Sequence, residues 1–219
     1  MENLQLLTEA IIYATDKHSD QRRKQSEDPY IIHPLRVLNI LVTIGITDIN
    51  ILIGGVLHDV VEDTDTSVND IKHHFGNKIA KIVSEVSNNP NVSKAERKRA
   101  QLRDISHKSH EAQLIKLADA VDNLSDFVTQ ELTGENWSYI QIRLYFLWKR
   151  EISRVIRDNS ENHRKLADKI EELCRKDIFY YVGDPSGKRG LDLDSQFANP
   201  KESLNEYFMA MDLKDKYRL

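Results

Sequence analysis

Apolar residues recur three and four positions apart along most of the chain, and this spacing predicts amphipathic α-helices. Polar stretches containing glycine or proline interrupt the pattern, and we interpret them as connections between helices. We expect one helix over each of residues 4–18, 34–45, 48–63, 111–132 and 201–219, and a pair over each of residues 67–89 and 136–177. The first pair should divide at Gly76 and the second near residues 158–162.

Local residue types indicate where several of these helices begin and end. Pro34 suits the first turn of its helix, and Gly45 lies near the end of the same helix. Asp48 is a favourable N-cap residue. Ser67 followed by Asp70 has the spacing of a capping box. These residues support the helical interpretation independently of the apolar pattern.

The helical pattern fails after residue 177. Residues 178–200 combine an aromatic, β-like run with glycines and prolines, which predicts a small hairpin or an ordered loop. We therefore expect an all-α domain over residues 1–176 and a C-terminal extension over residues 177–219, with aromatic side chains that pack on something. Residues 93–109 carry so many charges that we expect this segment to be solvated.

Composition is that of a globular protein with a core, because 40% of the 219 residues are hydrophobic and 30% are charged. A formal net charge of −4 argues against nucleic acid as a partner. The apolar runs are too short to span a membrane, and acidic residues near the N-terminus argue against a secretory signal. The single cysteine, Cys174, cannot form an internal disulfide, which fits a cytoplasmic protein.

An acidic stretch follows the apolar part of the third predicted helix and reads VLHDVVEDTDT. If that helix is continuous, His58 lies one turn from Glu62, and Asp59 lies one turn from Asp63. Carboxylates this close raise one another's pKa, and a bound divalent cation removes the repulsion. Asp65 lies just beyond and is expected in a loop or turn.

Two further residues suggest a metal site. His33 directly precedes a helix-starting proline, and Asp119 interrupts an apolar helix, where a carboxylate is costly to bury without a partner or a metal. Together with His58 and Asp59 they make a mixed imidazole and carboxylate set. Such a set suits Mn²⁺, Fe²⁺ or Zn²⁺ better than Ca²⁺ or Mg²⁺, and water could fill the remaining positions and be activated as a nucleophile.

The motifs also resemble a known family. The segments HSDQRRKQSEDPYIIHPLRV, GGVLHDVVEDTDTSVNDIKHHFG, ERKR and LIKLADAVDNLSDF occur in the order found in the hydrolase domain of Rel/SpoT proteins. The chain is most similar to the stand-alone small alarmone hydrolases, over residues 3–176. The resemblance implies an all-helical HD fold and hydrolysis of the 3′-pyrophosphate of (p)ppGpp to GDP or GTP and pyrophosphate, with one Mn²⁺ per chain.

The resemblance implies a role for individual residues. Glu62 and Asp63 correspond to the pair that positions and deprotonates the attacking water, while Tyr30 is expected to pack rather than to contact substrate. The implied metal ligands are His33, His58, Asp59 and Asp119. The implied substrate contacts are Arg23, Lys24, Lys98, Asn123, Asp126 and Tyr145.

Several positions depart from the family pattern. Ala120 stands where a basic residue is usual, Gln141 stands where an arginine is usual, and Asp122 replaces a histidine or tyrosine. These changes remove positive charge and add negative charge near the expected pocket, so we expect weaker phosphate binding or an altered nucleotide preference. Lys188 and Arg189 in the extension are candidates for restoring the lost charge.

Three hypotheses about function are consistent with the sequence. The first is a (p)ppGpp hydrolase without a synthetase half. The second keeps the site but acts on adenine alarmones of the ppApp type or on the 2′-phosphate of NADPH. The third is a non-catalytic nucleotide sensor or an antitoxin-like module, and a hybrid would be an enzyme that antagonises an alarmone synthetase in the same cell. Oligomeric state is not readable from the sequence.

Overall fold

The computed structural model describes residues 2–23, 27–129, 139–175 and 199–217. Within these ranges the regular structure is helical, apart from one isolated antiparallel bridge between Arg22 and Pro29. The helices are α1 (Glu2–Lys17), α2 (Ile32–Thr43), α3 (Ile49–Val56), α4 (Val60–Asp63), α5 (Val68–Val86), α6 (Lys94–Asp104), α7 (His110–Thr129), α8 (Tyr139–Ile156), α9 (Glu161–Arg175) and α10 (Pro200–Tyr217).

The expected all-α fold is confirmed. The division of α5 at Gly76, where φ is +86°, and the break between α8 and α9 at Arg157–Asn159 also agree with the sequence. The expected hairpin and the domain boundary near residue 177 lie outside the described residues, as do Lys188 and Arg189. None of the helices in the described ranges is long and apolar enough to cross a membrane.

Helix α7 lies at the centre of the bundle and packs against α2, α3, α5 and α9. Its apolar face is fully buried, with Leu114, Leu117 and Leu124 among the most enclosed side chains. Burying a leucine of this kind contributes about 1.5–3 kcal/mol. Because α7 is fixed in the core on one side, the polar side chains of its other side have fixed positions too.

Two glycines let α3 lie close against its neighbours. A Cβ atom on Gly54 would lie 2.8 Å from Cγ2 of Ile82, and one on Gly55 would lie 2.8 Å from Cδ1 of Leu41. Either contact would require something to shift. The close approach brings the end of α3 beside the start of α2, where His33 lies.

The continuous helix expected over residues 48–63 is wrong. Helix α3 ends at Val56, and a turn at residues 57–59 separates it from α4. The turn is stabilised by the imidazole of His58, whose Nδ1 lies 2.8 Å from the carbonyl oxygen of Gly55. The backbone amide of Asp63 still donates to the carbonyl of Asp59 at 2.9 Å, so these two residues keep their one-turn relation.

The C-terminal helix α10 belongs to the core. It packs against α6 and α8 and buries Leu204 and Phe208 almost completely. The expected solvated character of residues 93–109 is wrong in part, because α6 forms there and buries Ala95 and the side chain of Lys98. A charged helix can be covered in this way when a partner helix supplies aromatic side chains.

The capping box at the start of α5 gives a first prediction. Ser67 Oγ accepts from the Asp70 amide at 3.2 Å, and Asp70 Oδ2 accepts from the Ser67 amide at 2.8 Å. Replacing Ser67 by alanine is expected to lower the free energy of unfolding by about 1 kcal/mol, measured by urea denaturation. Thr8→Ala, at an exposed position of α1, is the control, and an equal loss in both variants would contradict the prediction.

Candidate active site

Two histidines and two aspartates meet where α2, α3 and α7 come together. The Nε2 atoms of His33 and His58 are 3.2 Å apart. Oδ2 of Asp59 lies 3.0 Å from Nε2 of His58, and Oδ1 of Asp119 lies 3.4 Å from Nε2 of His33. The side chains of His33, His58 and Asp119 place their ligand atoms within 4.8 Å of one another and could hold a metal ion.

The hydrogen bonds of the two Nδ1 atoms determine which ring nitrogen of each histidine carries the proton and which has the free lone pair. Nδ1 of His58 lies 2.8 Å from the carbonyl oxygen of Gly55, and Nδ1 of His33 lies 2.7 Å from Oδ2 of Asp122. Both partners are acceptors, so we assign the proton of each neutral ring to Nδ1. The two Nε2 lone pairs then face each other and the aspartate oxygens. Acceptor atoms that converge without a hydrogen between them fit a cation.

The same cluster attracts positive charge strongly. Burial by itself would lower the pKa of His33, but hydrogen bonds to Asp119, Asp122 and Asp59 raise that pKa well above its ordinary value. Burial by itself would raise the pKa of Asp59, but the neighbouring His58 and His33 hold it well below its usual range. A divalent cation would take the place of the proton that the cluster otherwise holds.

The second oxygen of Asp119 faces two lysines. Oδ2 lies 3.2 Å from Nζ of Lys149 and 3.6 Å from Nζ of Lys116. Despite burial, these ammonium groups hold the pKa of Asp119 well below its usual range. Sequence reasoning missed Lys149, although its position one turn after Tyr145 on α8 indicates that both residues face the same way.

Glu62 is held by the segment that follows α5. The side-chain amide of Asn88 donates to both carboxylate oxygens, at 2.8 and 3.0 Å, and its backbone amide donates to Oε2 at 3.2 Å. Gln101 on α6 in turn donates to Oδ1 of Asn88 at 2.7 Å, and Arg97 lies 3.9 Å from Oε1 of Glu62. Neither Asn88 nor Gln101 was expected at the site, because Asn88 reaches Glu62 from a distant segment and Gln101 contacts Asn88 rather than Glu62.

Tyr30 links a proposed ligand to a proposed catalytic residue. Its hydroxyl donates to Oδ2 of Asp59 at 2.6 Å and lies 3.2 Å from Oδ2 of Asp63. Tyr30 therefore has a hydrogen-bonding role that the sequence did not indicate, and the expectation that it does not contact substrate stays a prediction. Burial away from water raises the pKa of Asp63 to about 6, and the negative charges of Asp59 and Glu62 add to this effect. Asp65, in contrast, points to solvent and pairs with Lys17.

The basic loop before α2 is tied down by α7. The guanidinium of Arg23 is buried and donates to Oδ2 of Asp126 at 2.6 Å and to Oδ1 of Asn123 at 3.2 Å. Asn123 also donates to Oδ1 of Asp119, and Arg36 donates to Asp126. Three predicted substrate contacts therefore hold one another. Lys24, the fourth member expected nearby, lies outside the described residues.

The remaining predicted substrate contacts, Tyr145 and Lys98, lie on α8 and α6. The ring of Tyr145 is half-buried on α8, and Lys98 on α6 lies beside it, with 5.1 Å between Nζ and the ring centroid. Ala120 is buried in the hydrophobic core. Asp122 is engaged by His33 at 2.7 Å and lies 3.9 Å from Arg23, so its added charge already has partners within the protein.

The contact between His33 and Asp122 gives a second prediction. Asp122→Asn is expected to keep the fold but to weaken Mn²⁺ binding by about 10–100-fold, because the carboxylate that orients His33 and increases its basicity is lost. Isothermal titration calorimetry measures this directly. Asp158→Asn removes an exposed carboxylate of α8–α9 and is the control. Unchanged Mn²⁺ affinity in Asp122→Asn would contradict the prediction.

Comparisons with known proteins agree on one family. An HD-domain family model matches residues 10–136. The human protein named guanosine-3′,5′-bis(diphosphate) 3′-pyrophosphohydrolase MESH1 is 40% identical over 172 residues, which are 78% of this chain and 93% of the human protein. The Xenopus tropicalis protein of the same name is 44% identical over 69% of this chain and 85% of its own length.

A solved structure shares the fold. It is described as a metazoan ortholog of SpoT that hydrolyzes ppGpp, and it matches with a TM-score of 0.71 and 38% sequence identity. The match covers 81% of this chain and 96% of the other. A crystal structure from Listeria monocytogenes matches with a TM-score of 0.56 and 26% identity, over 66% of this chain and 97% of that one.

Proposed function

The chain belongs to the MESH1 family of HD-domain proteins, and from this premise we propose that it hydrolyses the 3′-pyrophosphate of (p)ppGpp, giving GDP or GTP and pyrophosphate. The observation that carries the proposal is the convergence of the His33 and His58 lone pairs with Asp59 and Asp119 beside the two carboxylates of α4. This arrangement combines a cation site with groups that can handle water.

We further propose that His33, His58, Asp59 and Asp119 hold one Mn²⁺. The donor set alone also accepts Fe²⁺ or Zn²⁺, so the preference for Mn²⁺ rests on the family. When bound, the cation supplies Lewis-acid charge at the reacting phosphoryl group.

Asp63 is the proposed general base. A carboxylate with a pKa of about 6 is ionised at neutral pH and is still basic enough to accept a proton from water. Water adds its oxygen to phosphorus and its proton passes to Asp63. The bond from phosphorus to the ribose 3′ oxygen breaks, and that oxygen takes a proton from solvent to become the 3′-hydroxyl of GDP or GTP, while the two phosphoryl groups leave as pyrophosphate. Tyr30 fixes the direction of Asp63, and Asn88 fixes that of Glu62, which orients the water.

Cations around the site suit a substrate with several phosphates. Lys149 and Lys116 face Asp119, and Arg97 faces Glu62. Lys98 and Tyr145 are proposed phosphate-side and nucleoside-side contacts. Arg23 and Lys24 are the proposed basic pair that faces the phosphates, and Asn123 and Asp126 are the proposed nucleoside contacts. Lys149 supplies positive charge near the pocket, where Ala120 and Gln141 replace the basic residues that are usual in the family.

The deciding experiment is pyrophosphate release from ppGpp by the purified protein, with Mn²⁺ and with a chelator. Metal-dependent release of GDP and pyrophosphate is expected. A folded, Mn²⁺-loaded protein that releases neither would contradict the proposal.

We propose adenine alarmones or NADPH as a second class of substrate, because Ala120 and Gln141 depart from the family pattern. A panel of ppGpp, ppApp and NADPH separates the classes. Turnover of NADPH or ppApp without turnover of ppGpp would reassign the substrate and keep the site. A protein that binds these nucleotides without turnover would be a sensor or antitoxin-like module.

The cellular setting is also a proposal. A cytoplasmic enzyme that removes alarmones would oppose an alarmone synthetase in the same cell. Co-expression with such a synthetase tests this, since growth should be restored by the wild-type chain and not by the Asp63→Asn variant. Sedimentation of the purified protein would give its oligomeric state.

A further inference from the structure

The C-terminal helix α10 is fixed to α6 by both apolar and polar contacts. Phe208 is buried, and the guanidinium of Arg99 lies over its ring at 5.6 Å. Asp212 pairs with Arg99 at 2.7 Å and accepts from Ser93, the N-cap of α6, at 2.9 Å. These contacts set the register of α10 on α6, so the residues between them are held in place.

Tyr207 of α10 completes an aromatic cage around Lys98. Nζ of Lys98 lies 4.5 Å from the ring centroid of Trp148, 5.1 Å from that of Tyr145 and 5.2 Å from that of Tyr207. The ammonium also donates to the Tyr207 hydroxyl at 3.3 Å. Lys98 is 7% exposed, so its side chain is almost fully enclosed.

The cage encloses the Lys98 ammonium without supplying a counter-charge. Among the described residues no carboxylate pairs with Lys98, and the charged groups that influence it are the cations Lys94 on the same helix and Lys149 on α8. Burial, followed by these like charges, lowers the pKa of Lys98 to about 7. Aromatic faces attract an ammonium through their quadrupole but leave its full charge available to an anion.

The cage adjoins the metal-binding cluster. Nζ of Lys149 lies over the same two rings, 4.8 Å from the centroid of Trp148 and 5.7 Å from that of Tyr145. The same Nζ lies 3.2 Å from Asp119. Lys98 is therefore separated from the proposed metal ligand Asp119 by Lys149 and the rings that the two ammonium groups share.

We propose that Tyr207 is a positioning residue of the nucleotide site, which holds the Lys98 ammonium between three aromatic rings so that it pairs with a phosphate group of the substrate. This rests on the proposed function for the identity of the substrate. It assigns a role to α10, which reaches the site from a segment 109 residues away from Lys98 along the chain.

The proposal is tested with Tyr207→Phe, Tyr207→Leu and Lys98→Met. Met209→Ala is the matched control, because Met209 lies on α10 and is 61% exposed. KM and kcat for ppGpp are measured, together with the Kd of inorganic pyrophosphate by calorimetry. Tyr207→Leu is expected to raise KM and the pyrophosphate Kd by about tenfold, the scale of one cation–π contact, with kcat nearly unchanged.

Two further readouts separate positioning from general support of the fold. In Lys98→Met the Tyr207→Leu change should add little to KM, since residues that act together are not additive. In the wild type, KM should rise as pH rises through about 7, where Lys98 loses its proton. Tyr207→Phe removes the hydroxyl that accepts from the ammonium, so its KM should begin to rise at a lower pH.

Folded Tyr207 variants with unchanged KM, pyrophosphate Kd and pH profile would overturn the proposal. A fall in KM would also overturn it, because it would mean that α10 obstructs Lys98. If Tyr207→Leu fails to fold, the pH profile of pyrophosphate binding by the near-isosteric Tyr207→Phe decides. Pyrophosphate binding needs no turnover. Tyr207-dependent binding by a protein that does not hydrolyse ppGpp would therefore overturn the proposed function alone.

Discussion

Replacing Asp63 by asparagine is expected to lower kcat by about 10²–10⁴-fold while the fold and the metal affinity are kept. The amide has nearly the same shape as the carboxylate and can keep the contact with Tyr30. It cannot accept a proton from water, and that is the role proposed for Asp63. Metal affinity should persist because Asp63 is not one of the residues that face the two Nε2 atoms. Single-turnover kinetics with ppGpp and calorimetry with Mn²⁺ measure the two effects separately.

Asp65→Asn is the matched control for this change. The side chain of Asp65 belongs to the same acidic stretch but is 86% exposed and pairs with Lys17 outside the site. Its loss should leave kcat within about twofold, as is usual for surface positions. Near-normal kcat in Asp63→Asn would show that another group takes the proton, and the role assigned here would be wrong.

The same carboxyl predicts a pH dependence. As pH falls, Asp63 takes up a proton and can no longer act as a base, so kcat/KM should fall about tenfold per pH unit on the acid side. The pKa of about 6 sets the upper limit of this transition, since a bound cation draws the pKa of a nearby carboxyl downward. Asp63→Asn should lose this limb of the profile. An acid limb that persists unchanged in the variant would assign it to a different group.

Replacing Asp119 by alanine is expected to abolish stoichiometric Mn²⁺ binding as its primary effect. It removes the carboxylate that faces both histidines. It also leaves the buried Lys149 and the partly buried Lys116 without this partner. Breaking a buried ion pair from one side costs about 3–5 kcal/mol of stability. Metal analysis of the purified protein and urea denaturation should therefore both show a loss.

Two controls separate these effects of Asp119→Ala. Asp168→Ala removes a half-exposed carboxylate of α9 that pairs with Arg157 and should change neither metal content nor stability greatly. Combining Asp119→Ala with Lys149→Met removes one of the buried cations and should recover part of the stability without recovering metal. Full Mn²⁺ occupancy in Asp119→Ala would mean that the other three residues suffice and that Asp119 is not a ligand.

Most of the helical framework was predictable because it follows from local rules. The apolar spacing predicted every helix of two turns or more except α6, and the caps at Asp48 and Ser67 are present in the structure. The break after α3 was not predictable from the apolar pattern. It depends on the side chain of His58 turning back to the carbonyl of Gly55, a contact that periodicity does not encode.

The candidate site was only partly predictable. Its ionisable residues are recognisable because histidine and carboxylate stand where an apolar residue is expected. Tyr30 and Asn88 act through hydrogen bonds to residues far away in the chain, so no local pattern marks them. For Lys149 the local signal is its position one turn after Tyr145, but its ion-pair partner Asp119 is again distant in the chain. Lys98 is the extreme case, because its helix looks solvated until α10 is in place.

The contact between Lys98 and Tyr207 also has a kinetic consequence. Joining them closes a loop of about a hundred residues, and the conformational entropy lost in closing so long a loop slows folding. Helix α10 makes its main contacts with α6 and α8, so the surface on which it docks exists only after those helices have packed. Refolding should therefore pass through a stage in which the metal-binding cluster exists while Lys98 is still hydrated. Trp148 fluorescence would report the later docking of α10 as a separate, slower phase.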